Sequence, residues 1–100
     1  QIAAGQKCSD IDAVARGYIA KQGYGTYFGH GLGHGVGLDI HEEPRFSPKC
    51  DVITTENMVI TDEPGIYLPG QFGVRIEDLV VVKENGYRKL SQSEKQLIIL

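Results

Sequence analysis

The sequence predicts an α+β unit, with one amphipathic helix followed by mostly antiparallel strands. Three observations carry that reading. Ile11, Val14, Ala15, Tyr18 and Ile19 recur at helical spacing on one face. Val74 to Val82 is rich in β-branched residues and reads as one buried strand. Glu84-Asn85-Gly86-Tyr87 contains the Asn-Gly pair that suits a tight two-residue hairpin turn.

The other elements follow in order. Ser9-Asp10-Ile11-Asp12 is a capping signal: Ser9 can accept from early helical amides, and Asp10 and Asp12 sit at the positive end of the helix dipole. Gly23 is a natural stop, so the helix should run from about Asp10 to Gln22. From Gly23 to Gly37, seven of fifteen residues are glycine. That density allows close approach of backbone or ligand but weakens regular structure. Val36 to His41 suits a short extended segment. Ile53 to Thr61 suits a strand with Asn57 at a turn, and Pro64-Gly65 ends it. Leu68-Pro69-Gly70-Gln71 is a second turn, Arg88 to Leu90 should pair back after the hairpin, and Leu97 to Leu100 reads as a short strand or helix end. No internal repeat, linker or low-complexity tract is visible.

One hundred residues suffice for one domain with a modest core, burying roughly two-thirds of the unfolded surface. The apolar fraction of 41% and charged fraction of 23% are those of a soluble globular protein. A net charge of −3 without a Lys/Arg cluster argues against a nucleic-acid partner. No stretch approaches the ~20 apolar residues of a membrane helix, so no membrane partner is expected. Gln1 to Lys7 does not read as a signal peptide. Cys8 and Cys50, far apart in sequence, read as two free buried thiols of a cytoplasmic protein. The opening Gln-Ile-Ala-Ala-Gly-Gln resembles a helix end and loop start, as if the chain began inside a larger domain.

The chemistry concentrates in a few residues. His30, His34 and His41 are all the histidines, and they fall within twelve positions. Imidazole is the commonest metal ligand and titrates near neutral pH. His30 and His34 lie in Gly-His-Gly-Leu-Gly-His-Gly, where the flanking glycines leave room for a metal or substrate; a surface loop with incidental histidines is the plainer alternative. Glu63 stands just before Pro64-Gly65. Within the expected strand Val74 to Val82, Arg75 and Glu77 share a face. A charge there needs a ligand or partner if buried; a solvated Arg75–Glu77 pair explains the same residues. Asp10 and Asp12 are assigned to capping, not to metal. A His/Glu/Glu set suits manganese, zinc, cobalt or iron and leaves the choice open. There is no Cys-x-x-Cys, His-Glu-x-x-His, Gly-x-Ser-x-Gly or phosphate-binding loop.

Phe28-Gly-His-Gly-Leu-Gly-His-Gly-Val-Gly-Leu-Asp-Ile-His-Glu-Glu-Pro44 resembles the histidine segment of the Xaa-Pro dipeptidase and aminopeptidase P family. Thr61-Asp-Glu-Pro-Gly-Ile-Tyr67 and Gly73-Val-Arg-Ile-Glu-Asp-Leu-Val80 resemble that family's two glutamate motifs, and Gly5 to Arg16 resembles the helix before them. Three motifs in the same order, over nearly the whole chain, make the resemblance specific. It implies residues 1–100 as the C-terminal part of a pita-bread catalytic domain. It implies a dinuclear metal site, manganese first, with cobalt, zinc or iron as alternatives. By position, the resemblance makes His34, Glu63 and Glu77 metal ligands, with Glu77 bridging. It gives Glu63 a general-base role, gives His30 and His41 contact with substrate and proton transfer, and sets Arg75 beside the bridging carboxylate. It also implies a peptide substrate with proline in second position and a homodimer.

Two departures are visible. Asn57 stands where the family has glycine, and asparagine tolerates the left-handed backbone next best. Nothing in Gln1 to Phe28 resembles the family's hairpin with two aspartate ligands. The expectation is therefore a chain that binds at most one divalent ion weakly, hydrolyses nothing at a useful rate by itself, and leaves apolar surface and a sheet edge open. Three alternatives share the fold: a methionine aminopeptidase, a catalytically dead binding module and a metal-free creatinase-like hydrolase. Intact His34, Glu63 and Glu77 argue against the last two.

Overall fold

The computed structural model describes residues 2–97. Helix α1 spans Cys8–Lys21 and a 3-10 turn follows at Gly25–Tyr27. Seven strands come next: β1 Gly33–Gly35, β2 Glu42–Phe46, β3 Val59–Asp62, β4 Gly65–Leu68, β5 Phe72–Arg75, β6 Asp78–Lys83 and β7 Gly86–Lys89. Five form an antiparallel sheet in the order β2-β1-β3-β6-β7, while β4 and β5 form a separate antiparallel hairpin. One helix and then antiparallel strands is the expected α+β order. No helix among the described residues is long and apolar enough to cross a membrane.

Helix α1 starts two residues earlier than expected, and Ser9 does not cap it. The N-cap is Lys7, without a side-chain cap bond. The free amides of the first turn are satisfied by tertiary contacts instead. Cys8 N donates to Val52 O at 2.8 Å and Ser9 N to Cys50 O at 2.9 Å. Gly23 ends the helix as expected, with φ of 95°. Ile11 and Ile19 reach the core, together with Cys8, Phe28, Leu32, Phe46, Ile60, Val80 and Val82. Val14 and Tyr18 do not; they line an open apolar groove of about 510 Å³ between α1 and the β4–β5 hairpin. Both cysteines are free, as expected, but only Cys8 is buried; Cys50 is half-buried. Burial first, then the adjacent Cys50 thiol, pushes the Cys8 thiol up to about 12.

Three strand expectations need correction. The extended segment placed at Val36 to His41 forms earlier, at Gly33–Gly35, and residues 36–41 are loop. Glycine, the poorest strand former, is used here because the backbones lie too close for side chains. A Cβ on Gly33 would fall on the Thr61 carbonyl oxygen, and one on Gly31 would lie 2.7 Å from Phe46 O. Val74 to Val82 is not one strand. The chain breaks at Ile76-Glu77, where it leaves the β4–β5 hairpin and enters the large sheet; its β-branched residues serve two sheets. Ile53 makes only an isolated bridge to Lys7, and the strand proper starts at Val59.

The turns hold more closely. Asn57 takes φ of 73°, the left-handed turn anticipated for it, and Gly70 closes the β4–β5 hairpin at φ of 75°. The β6–β7 hairpin lies where expected, but Lys83 pairs with Gly86, so its two loop residues are Glu84 and Asn85. Neither has positive φ, so this is not the primed Asn-Gly turn. Arg88 does pair back, with Val81. Of the run Leu97 to Leu100, residues 98–100 lie outside the described residues, and Leu97 is exposed without regular structure.

The glycine contacts give opposite signs for one substitution. Gly33→Ala should cost about 3 kcal/mol. Gly17→Ala, on an exposed helix face with nothing within 4 Å of the new Cβ, should gain about 1 kcal/mol. Urea unfolding followed by circular dichroism checks both, and a Gly33→Ala chain as stable as the parent would contradict the close approach.

Candidate metal centre

The strand arrangement sets His34 against Glu63. His34 is the middle residue of β1, between β2 and β3. Its amide donates to Thr61 Oγ1 at 3.0 Å, and the Glu63 amide donates to Leu32 O at 2.7 Å. These two bonds lock the histidine strand to the start of the Glu-Pro-Gly segment. As a result His34 Nε2 lies 3.2 Å from Glu63 Oε2, with only 12% and 14% of the two side chains exposed.

The hydrogen bonds of the ring decide what faces what. His34 Nδ1 lies 2.9 Å from Gly35 O, so Nδ1 carries a proton, and in the neutral ring Nε2 presents its lone pair. Glu63 Oε2 is buried and has no hydrogen-bond partner among the described residues. With the ring neutral, two lone-pair donors thus face each other, an arrangement relieved by a cation between them or by a second proton on the ring. Ligand distances of ~2.1 Å around a divalent ion place neighbouring ligands ~3.0 Å apart. The separation of the pair, its mixed nitrogen and oxygen donors and the orphaned oxygen all fit such an ion.

The remaining candidates are placed less closely. A cavity of about 560 Å³ is lined by His34, His41, Glu63, Arg75 and Glu77, among others. Five of the six expected site residues therefore share one space. Among the described residues, however, no three His, Cys, Asp or Glu side chains come close enough together to hold a metal. Glu77 is 44% exposed and turned towards Arg75, with Nε to Oε2 of 3.8 Å. His41 packs edge-on against His34 at 4.5 Å between ring centroids. His30 does not line this cavity. Its Nδ1 lies 2.7 Å from Gly31 O and its Nε2 lies 2.8 Å from Tyr67 Oη. With Nδ1 as donor, the tyrosine hydroxyl donates to Nε2. Arg75 lies beside Tyr67 and Glu77, which hold the guanidinium above its ordinary value.

Sequence reasoning missed Tyr67, Asp12 and Arg16 as parts of this assembly. Asp12 is not a cap. It is buried, accepts from Leu32 N at 2.9 Å and pairs with Arg16 at 2.7 Å. Arg16 donates to Phe28 O and His30 O at 3.0 and 2.8 Å and sits 4.3 Å above the Phe28 ring. One helix turn therefore grips the start of the histidine segment, from Phe28 to Leu32. The i,i+4 spacing of Asp12 and Arg16 was the available signal. Asp62 lies opposite Asp78 in the β3–β6 register. Burial, followed by the Asp78 charge, raises the Asp62 carboxyl above its usual range.

Residues 1–84 match the model of Metallopeptidase family M24. An Xaa-Pro dipeptidase of Pyrococcus horikoshii is 50% identical over 94 residues, covering 94% of this chain and 27% of that protein. The solved Xaa-Pro dipeptidase from Bacillus anthracis superposes with a TM-score of 0.97 at 48% identity, over 99% of this chain and 28% of that one. Prolidase from Pyrococcus furiosus superposes with a TM-score of 0.92 at 50% identity, over 94% of this chain and 28% of that one. The chain thus spans about 27% of the length of the curated relative. These similarities bear out the resemblance drawn from the three motifs, and its fold.

The lone-pair argument makes a spectroscopic prediction. In the metal-free chain, neutral His30 and His34 should both be Nδ1–H tautomers in 15N NMR of the rings. A neutral Nε2–H form of His34 would place a donor against Glu63 and remove the case for a cation there.

Proposed function

The chain belongs to metallopeptidase family M24, and on that premise we propose that it is part of a dinuclear-metal exopeptidase that hydrolyses the bond before proline in Xaa-Pro dipeptides or peptides. The observation that carries the proposal is the His34 Nε2–Glu63 Oε2 pair, 3.2 Å apart with no donor between them. The similarity to proteins named Xaa-Pro dipeptidase supports the substrate class. We place residues 1–100 in the C-terminal part of the catalytic domain, with His34, Glu63 and Glu77 as the metal ligands it supplies. Manganese is the proposed ion. The two free thiols support a cytoplasmic, reducing setting, and the whole protein is proposed to act as a homodimer.

A divalent ion at this site supplies Lewis acidity to the scissile carbonyl and lowers the pKa of water. The residues of the chain then have separate tasks. Glu63 and His34 are fixed by the β1–β3 contacts and need no rearrangement to bind. Glu77 must turn inward from Arg75 to complete the set. His41, exposed at the rim and packed on His34, is placed to contact substrate and to hold a proton on its outer face. His30 is oriented by Tyr67 and Gly31 for a similar contact beside the cavity. Arg75 lies beside both Tyr67 and Glu77, between the His30 side of the site and the metal side.

A methionine aminopeptidase is the second reading, favoured by the His41-Glu42-Glu43-Pro44 stretch. The whole protein should cleave Xaa-Pro dipeptides and leave Met-Ala intact; the reverse order would select that second reading. Calorimetric titration of manganese into the metal-free chain should show one weak site, lost in His34→Ala and in Glu63→Ala. The chain by itself is expected to cleave neither peptide. Two tight sites, or binding that survives both substitutions, would contradict the assignment.

A further inference from the structure

Glu77 occupies the least supported position in the site. It lies exposed in the two-residue break between β5 and β6, outside both ladders. The residues directly after it are held from another part of the chain. Asp78 Oδ1 accepts from Ser91 Oγ at 2.9 Å and pairs with Lys95 Nζ at 3.0 Å. Ser91 Oγ accepts from the Leu79 amide at 2.9 Å, and the Leu90 amide donates to Leu79 O at 2.7 Å. Ser91 also lines the cavity that holds Glu77. The segment supplying these contacts has no regular structure of its own.

The charges explain why such support is needed. Asp62 and Asp78 are direct partners at the end of the β3–β6 ladder. Like charges directly opposite across a ladder repel. Unopposed, that repulsion would fray the end of β6, to which Glu77 is joined. Lys95 brings the opposite charge to Asp78, and Ser91 closes the Leu79 amide that the ladder leaves free.

We propose that Ser91 and Lys95 are positioning residues: the segment they anchor straps the start of β6 in place and so fixes Glu77 for a divalent cation. The inference rests on Glu77 being a metal ligand, as proposed above. It goes beyond that reading by assigning a role to residues outside the three motifs.

The test has two arms. In the metal-free chain, amide hydrogen exchange of Asp78, the first residue of β6, should be roughly tenfold faster in Lys95→Met and in Ser91→Ala, while the β4–β5 hairpin exchanges as before. Lys95→Met is the cleaner variant, because it removes no partner of a backbone amide. Lys95→Arg and Ser91→Thr should restore the parent rates. In the second arm, manganese affinity of the chain should fall roughly 10–100-fold in Lys95→Met and Ser91→Ala, with stoichiometry unchanged, and recover in the conservative variants. Unchanged exchange at Asp78 would overturn the strap, as would unchanged affinity where exchange has risen. A parent chain that binds no manganese would instead overturn the metal reading, and the exchange arm would still decide whether the strap exists.

Discussion

The site depends on how closely the glycine-rich backbone of β1 lies against its two neighbouring strands. Gly33 has no room for a methyl group beside Thr61, and Gly35 has none beside the Glu43 carbonyl. Side chains on either would push β1 away from β2 and β3. His34 would then lose its amide bond to Thr61, and its ring would no longer meet Glu63. Glycine costs strand stability through entropy and lost packing. That cost is offset here by the neighbouring core, where Phe46, Ile60, Val80 and Val82 are almost fully buried. The core strands thus carry a segment that has little intrinsic tendency to be a strand.

The same tight packing creates the electrostatic problem that points to a cation. Burying a carboxylate oxygen without a donor costs at least ~1–3 kcal/mol, and here an imidazole lone pair faces it as well. A fold selected for stability alone would have put a donor there. Elsewhere the chain does provide donors for its buried carboxylate: Asp12 receives Arg16 and the Leu32 amide. The contrast between Asp12 and Glu63 separates a structural carboxylate from one held ready for a ligand. The helix contributes through Arg16, which ties the carbonyls of Phe28 and His30 to α1 and so orients the chain entering β1.

The sequence made some features plain and left others hidden, for physical reasons. The helix, the Leu68–Gln71 turn and the left-handed Asn57 were legible because local chemistry determines them. Five of the six expected site residues share a cavity because they lie on β1 and β5 or directly at the ends of β2, β3 and β6. The break at Ile76-Glu77 was not legible: the β-branched run continues through it, and only the switch between two sheets interrupts the pairing. The start of β1 was misplaced because glycine gives no strand signal, whereas Val36 and Ile40 beyond it do. Ser9 resembled a cap, but the helix already starts at Cys8, because the amides of Cys8 and Ser9 bond the distant carbonyls of Val52 and Cys50. Long-range hydrogen bonds of that kind leave no local pattern to read.

The central claim is that His34 and Glu63 are a preformed pair of ligands for one divalent ion. Crystals of the chain grown with manganese, measured near its absorption edge, test it most directly. The account predicts an anomalous difference peak within about 2.1–2.2 Å of both His34 Nε2 and Glu63 Oε2, with the two side chains unmoved. A pair with no peak between them, and with Glu63 instead hydrogen-bonded to a protonated His34, would contradict it.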